Sequence, residues 1–147
     1  MDNVYVKGRV VRVYCRHEDT VLFVKSRDRP NLWEFPGGKL ETEEAPKVGA
    51  FRELREKTRL IPRQMHFITA QRRAIPHNPT IVWDHFLYEA IGFAHNAVKI
   101  DGDEIIDYCF ISPHLLNPNE LENTSRNFLY SAVLHHYLKK PERSRKR

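Results

Sequence analysis

At 147 residues, 41% hydrophobic and 29% charged, the chain has the size and apolar content of one folded domain, which excludes a disordered polymer. No apolar run approaches the roughly 18 residues of a membrane helix, and no leader peptide or membrane association is expected. The two cysteines, Cys15 and Cys109, are too few for a disulfide scaffold or a four-thiolate zinc site and fit a reducing, cytoplasmic setting. The net charge of +5 resides in residues 139–147, which hold six basic residues and one acidic one, so a balanced domain at 1–138 and a basic tail at 139–147 are expected. The balanced body gives no electrostatic reason to bind nucleic acid. The tail alone would do so, or would act as a nuclear import signal, or is a solvated chain end.

β-Branched and aromatic residues over 4–14 predict a first strand, and residues 20–25 a second, buried on both faces. A charged loop at 26–31 follows. Gly37 and Gly38 predict a turn where backbone can approach a ligand closely. Residues 43–58 predict a helix that buries Ala50, Phe51, Leu54 and Thr58, with Pro46 inside its first turn and Pro62 beyond its exit. Residues 65–74 and 80–92 predict two strands joined through Pro76, His77, Asn78 and Pro79. Residues 105–112 predict a short strand. A closing helix is expected over 124–138, with Phe128, Leu129, Ala132, Val133 and Tyr137 in helical spacing. This order predicts an α/β fold with a mixed sheet between helical layers.

Glu41, Glu43, Glu44, Glu53 and Glu56 form a dense run of carboxylates. On a helix, Glu53 and Glu56 lie about 60° apart on one face, and Lys57 falls about 40° from Glu53 on that same face. Hard oxygen ligands on a fixed face suit Mg²⁺ or Mn²⁺, above all where substrate phosphates complete the shell. A charged, solvated helix face is the alternative meaning of the same pattern.

The stretch Trp33-Glu34-Phe35-Pro36-Gly37-Gly38-Lys39-Leu40-Glu41, continued by Arg52-Glu53-Leu54-Arg55-Glu56-Lys57, resembles the Nudix hydrolases. Gly38 opens the family signature, and Glu44 follows after five residues. Arg52-Glu53-Leu54 comes after seven more, Glu56 is in register, and Leu60 fills the last apolar place. The lead-in is similar to MutT-type members, which act on nucleoside triphosphates. Lys57 stands where the family has a second, metal-binding glutamate, and Arg59 stands where it has glycine.

The resemblance implies a Nudix-like α/β/α sandwich and a Mg²⁺- or Mn²⁺-dependent hydrolase. Its substrate would be the pyrophosphate linkage of nucleoside triphosphates or other nucleoside diphosphate derivatives. It implies catalytic roles for Glu53, Glu56, Glu104 and Arg52, and metal ligation by Glu53, Glu56 and the backbone of Gly37 or Gly38. It implies substrate contacts from Lys25, Arg27, Lys39, Asn123 and Lys57. The Lys57 departure supports an alternative, a catalytically impaired module that binds a nucleotide or RNA. Asn123 also reads as a helix cap. Tyr5, Trp33, Trp83 and Phe86 read as base-stacking groups or as core. Arg72 and Arg73 point to opposite faces of a strand, so at most one faces a site. His77, His85, His135 and His136 have no zinc-ligand spacing and read as structural or solvated. The oligomeric state is left open.

Overall fold

A computed structural model describes residues 3–129, 131, 132 and 135. Strand β1 (Tyr5–Tyr14) is followed by β2 (Arg16–His17) and β3 (Thr20–Ser26). Strand β4 (Gly37–Lys39) precedes helix α1 (Pro46–Thr58). Then come β5 (Gln64–Ile75), β6 (Asn78–Ile91) and β7 (Ile105–Ile111). Residues 123–129 are helical, as are 131, 132 and 135. The rest of the expected closing helix, including Val133, His136 and Tyr137, lies outside the described residues, as does the basic tail at 139–147. Among the described residues, no helix is long and apolar enough to cross a membrane.

A four-stranded sheet runs β4-β1-β6-β5, with β1 parallel to β6 and the other pairs antiparallel, so the sheet is mixed. A smaller antiparallel sheet runs β2-β3-β7. One core packs Val11, Val13, Tyr88 and Ala90 of the large sheet, with Met65, against Ala50 and Leu54 of α1. The other packs Tyr14 and Leu87 with Phe23 and Phe35 against Phe128 and Ala132 of the last helical segment. The large sheet therefore lies between two helical layers. Strand β3 divides its side chains between the two cores, Leu22 to the first and Val21 and Phe23 to the second, as its unbroken apolar run predicts.

Two elements differ from the sequence reading. Gly37 and Gly38 do not form a turn; they are in strand β4, paired with Arg12 and Val11. A Cβ on Gly37 would collide with the Val11 carbonyl, so glycine here serves close strand approach rather than chain reversal. Helix α1 begins at Pro46, three residues later than expected, because Glu43 adopts a left-handed φ of 63° that no helix can include. Pro46 takes the first helical position, where its missing N–H costs nothing. The helix ends at Arg59, which is left-handed (φ 68°) and donates its N–H to the Arg55 carbonyl at 2.8 Å. That conformation favours glycine, and arginine bears about 1–2 kcal/mol of strain there. Burial of Ala50, Leu54 and Thr58 seats α1 on the sheet, which brings Glu53, one residue before Leu54, against β4.

Candidate active site

A cleft of about 1010 Å³ opens between α1, the loop before β7, the exposed face of the large sheet and the start of the last helical segment. On the α1 wall, Arg52 is the hub. It donates to both oxygens of Glu44 at 2.7 and 2.8 Å, and to the Lys39 carbonyl at 3.2 Å. Its Nη1 donates to Glu53 Oε2 and to Glu56 Oε1, both at 3.0 Å. The bond from Arg52 is the main cause that holds the Glu44 carboxyl down at about 2. The bond to Glu44 in turn pushes the guanidinium further up. Arg52 does not line the cleft; it orients the carboxylates that flank it.

Glu53 is 6% exposed, and burial pushes its carboxyl up against the opposing pull of Lys57 and Arg52. Its Oε1 is buried and accepts no hydrogen bond. Gly38 floors this carboxylate: a Cβ built there would come within 2.5 Å of Oε1. Any side chain on residue 38 would displace Glu53 or the strand. Lys57 Nζ sits 2.8 Å from Glu104 Oε2 and 3.8 Å from Glu53 Oε1, so it joins α1 to the loop before β7. Glu56, 46% exposed, is held by Arg52 beside Glu53 and does not itself line the cleft. Arg27 donates to the carbonyls of Asp103 and Gly102 at 2.6 and 2.8 Å, pinning that loop to the end of β3.

The donor chemistry fits a partly hydrated Mg²⁺ or Mn²⁺. Such an ion takes one or two carboxylates and leaves other positions to water and substrate phosphates. The buried Glu53 Oε1, which accepts no hydrogen bond, and the side-chain-free floor at Gly38 are the observations that support this. Among the described residues, no three of His, Cys, Asp and Glu close into a cage. Lys57 is the competing cation: for a divalent ion to sit at Glu53, the ammonium would have to swing aside on its flexible stem.

The opposite wall is the sheet. Arg12 is 6% exposed and donates to Glu34 Oε1 and to the Phe35 carbonyl, both at 2.9 Å. Its other terminal nitrogen lies 3.6 Å from Glu122 Oε1, and its Nε is buried without a partner. Arg29 reaches Glu34 from the rim at 3.2 Å. Glu122 caps the last helical segment by accepting the N–H groups of Thr124 and Ser125, each at 2.9 Å. Burial would raise its carboxyl, but Arg12 and those N–H groups outweigh burial and lower it. Asn123 is therefore not the cap; it lines the cleft and accepts a bond from Arg126 at 2.6 Å. Trp83 and His85 of β6 and Arg73 of β5 complete this wall, and Lys39 Nζ stands 5.5 Å above the Trp83 ring. Burial lowers the pKa of His85, whose Nδ1 is buried and unpartnered.

Of the residues singled out in the sequence, the cleft gathers Glu53, Lys57, Glu104, Gly37, Gly38, Arg27, Lys39, Asn123, Arg73 and Trp83. Lys25 does not line it. Val24 and Ser26 do, so strand alternation turns Lys25 away, and its ammonium lies 4.4 Å over Trp33. Phe86 packs on the α1 core, Trp33 on the second core, and Tyr5 is exposed elsewhere. Arg72 pairs with Asp84 at 2.7 Å on the far face. His135 bonds Glu89 at 2.8 Å, away from the cleft. The sequence reading did not single out Arg12, Glu34 or Glu122 for the site, and it read His85, which lines the cleft, as structural or solvated. Only Glu34, inside the recognised lead-in, carried a signal that could have singled it out.

A family model for the NUDIX domain matches residues 6–132. The chain is 37% identical over 60 residues to an RNA pyrophosphohydrolase of Xanthomonas campestris pv. campestris, a stretch that is 41% of this chain and 29% of that protein. The chain thus spans less than a third of that relative's length. The solution structure of the E. coli ORF135 protein superposes with a TM-score of 0.73 at 19% identity, covering 90% of this chain and 93% of the other. The NUDIX domain of Shewanella oneidensis NrtR, solved in complex with ADP ribose, superposes with a TM-score of 0.70 at 18% identity, covering 89% of each chain.

Proposed function

The chain belongs to the NUDIX family, and from that premise we propose that it hydrolyses the pyrophosphate linkage of a nucleotide, a nucleoside triphosphate or another nucleoside diphosphate derivative. The observation that carries this reading is the buried Glu53 oxygen that accepts no hydrogen bond over the glycine floor at Gly38, with Lys57 and Glu104 beside it. Lys57 and Arg27 supply positive charge against the phosphate oxygens, where charge builds as the linkage breaks. Glu104, 64% exposed at the cleft mouth, takes the proton of the attacking water. Water oxygen bonds to phosphorus, the bridging P–O bond breaks, and the leaving phosphate departs with the bridging oxygen. Arg52 keeps Glu53 and Glu56 in place throughout. Glu53, with a backbone carbonyl of Gly37 or Gly38, would hold Mg²⁺ or Mn²⁺, which would supply Lewis acidity toward the diphosphate, while Glu56 stays on Arg52 outside the cleft lining.

Purified protein is assayed with Mg²⁺ or Mn²⁺ against nucleoside triphosphates and ADP ribose. The likeness to RNA pyrophosphohydrolases adds 5′-triphosphorylated RNA to the panel. Expected is release of phosphate or pyrophosphate from a triphosphate, or of AMP and ribose 5-phosphate from ADP ribose, with Glu53→Gln reducing the rate by about a hundredfold or more while the protein stays folded. Absence of product from every substrate overturns the reading.

The 2.8 Å Lys57–Glu104 bond favours a second reading, a module that binds nucleotides without turnover. A unit charge about 5 Å from a divalent ion costs several kcal/mol at an effective dielectric near 20. On this reading calorimetry finds nucleotide affinity that EDTA leaves unchanged and that Lys57→Gln weakens. On the hydrolase reading the same substitution tightens Mn²⁺ binding by about tenfold or more.

A further inference from the structure

Trp83 sits on the cleft face of β6 in a place prepared for it. Its strand partner in β1 is Gly8, where the register shifts by a bulge. The six-membered part of the indole lies across Gly8, and a Cβ there would come within 2.5 Å of the ring. Any other residue at position 8 would push the indole off the strand. Arg73 pairs with Trp83 on the other side, in β5. His85, two residues along β6, shares the same face and presents an imidazole whose pKa burial lowers. Lys39 places its ammonium over the indole, while the preceding residue, Gly38, backs onto Glu53. Consecutive residues of β4 therefore touch the Trp83 platform and the carboxylate of the proposed phosphate end.

A buried indole would serve the core. This one opens on the cleft and is the only Phe, Tyr or Trp among the described residues that line it. We propose that Trp83 is the platform on which the aromatic base of the nucleotide stacks, with Lys39 closing over it and Arg73 and His85 at its margin. The proposal rests on the reading of the cleft as a nucleotide site and adds which wall takes the base. Stacking on an indole is tolerant of base identity, because every base has a π-face. The platform supplies affinity for the nucleoside end, whereas Glu53, Lys57 and Glu104 act on the phosphates.

The chain has two tryptophans, so Trp33→Phe leaves Trp83 as the sole reporter. In EDTA, added to suppress metal-dependent turnover, titration of this variant with ATP or UTP is expected to quench its fluorescence saturably, and inorganic pyrophosphate is expected to leave it unchanged. Trp83→Ala weakens nucleotide binding, measured by calorimetry, roughly tenfold to a hundredfold. Trp83→Phe recovers most of the loss, and the affinity for inorganic pyrophosphate stays the same in both. Equal quenching by pyrophosphate, no quenching by either nucleotide, or unaltered nucleotide affinity in Trp83→Ala overturns the proposal. The quenching measurement decides the matter even where the alanine variant fails to fold. Saturable quenching without hydrolysis in Mg²⁺ or Mn²⁺ sinks the hydrolase reading and leaves the base platform standing. Hydrolysis with unaltered affinity in Trp83→Ala does the reverse.

Discussion

On the α1 wall of the cleft, the charged groups are close in sequence and partly open to solvent. Arg52 meets Glu53 and Glu56 one and four positions away, and Glu56 remains 46% exposed. On the sheet wall, Arg12, Glu34 and Glu122 come from distant parts of the chain and are almost fully buried. The exposed Arg52–Glu56 pair contributes about 0–1 kcal/mol, so the first wall can shed or move that partner cheaply. A buried charge deprived of its partner costs far more, so the second wall is rigid. The difference teaches a division of labour: the helix wall supplies groups that can rearrange around a substrate, and the sheet wall holds the shape against which they move.

The largest expected effect tests the rigid wall. Arg12→Met leaves the buried Glu122 carboxylate without its cation and Glu34 with only Arg29 at the rim, and should cost about 3–5 kcal/mol in urea denaturation. Adding Glu34→Gln and Glu122→Gln should restore part of that loss. A cost under about 1 kcal/mol for Arg12→Met would erase the contrast with an ordinary surface pair.

An intermediate effect probes the open wall through pH. The Glu44 carboxyl lies at about 2 in the folded protein against an ordinary 4.5, so its contribution is fully present above 4.5 and is lost as pH falls toward 2. Glu44→Gln should therefore flatten the decline of urea midpoints between about pH 4.5 and 2, with little change in their slope above it. An unaltered acid limb would show that Arg52 does not hold this carboxylate in solution.

The smallest expected effect is a gain. Arg59→Gly relieves a left-handed arginine at the α1 terminus and should raise stability by about 1 kcal/mol, since residue 59 is exposed and loses no packing. A loss instead would mean that the Arg59 side chain has a partner on the helix surface.

The same contrast explains what could be read from the sequence. Helix α1, its buried face and the shared side of Glu53, Glu56 and Lys57 follow from a 3.6-residue period within one short segment. The strands and their mixed arrangement follow from apolar runs and element order. Strand β4 was hidden because two glycines carry no strand propensity; only the approach of the Val11 carbonyl explains them. The buried ion group was hidden because no local spacing connects Arg12 with Glu122. Glu122 also took the capping position that Asn123 invited, since its two oxygens satisfy the N–H groups of Thr124 and Ser125. Trp83 was legible as an aromatic but not as a platform, because that depends on its register against Gly8.

The Ser125 hydroxyl accepts a bond from the Phe35 N–H, ninety residues upstream, and donates to Glu122. During synthesis, then, Arg12, Glu34 and Phe35 leave the ribosome long before the residues that neutralise and cap them. The nascent chain can assemble strands and α1 early, but its cleft acquires a finished floor only when Glu122 and Ser125 emerge. The finished shape of the cleft thus waits for residues 122–125, long after the strands around Arg12 and Phe35 have emerged.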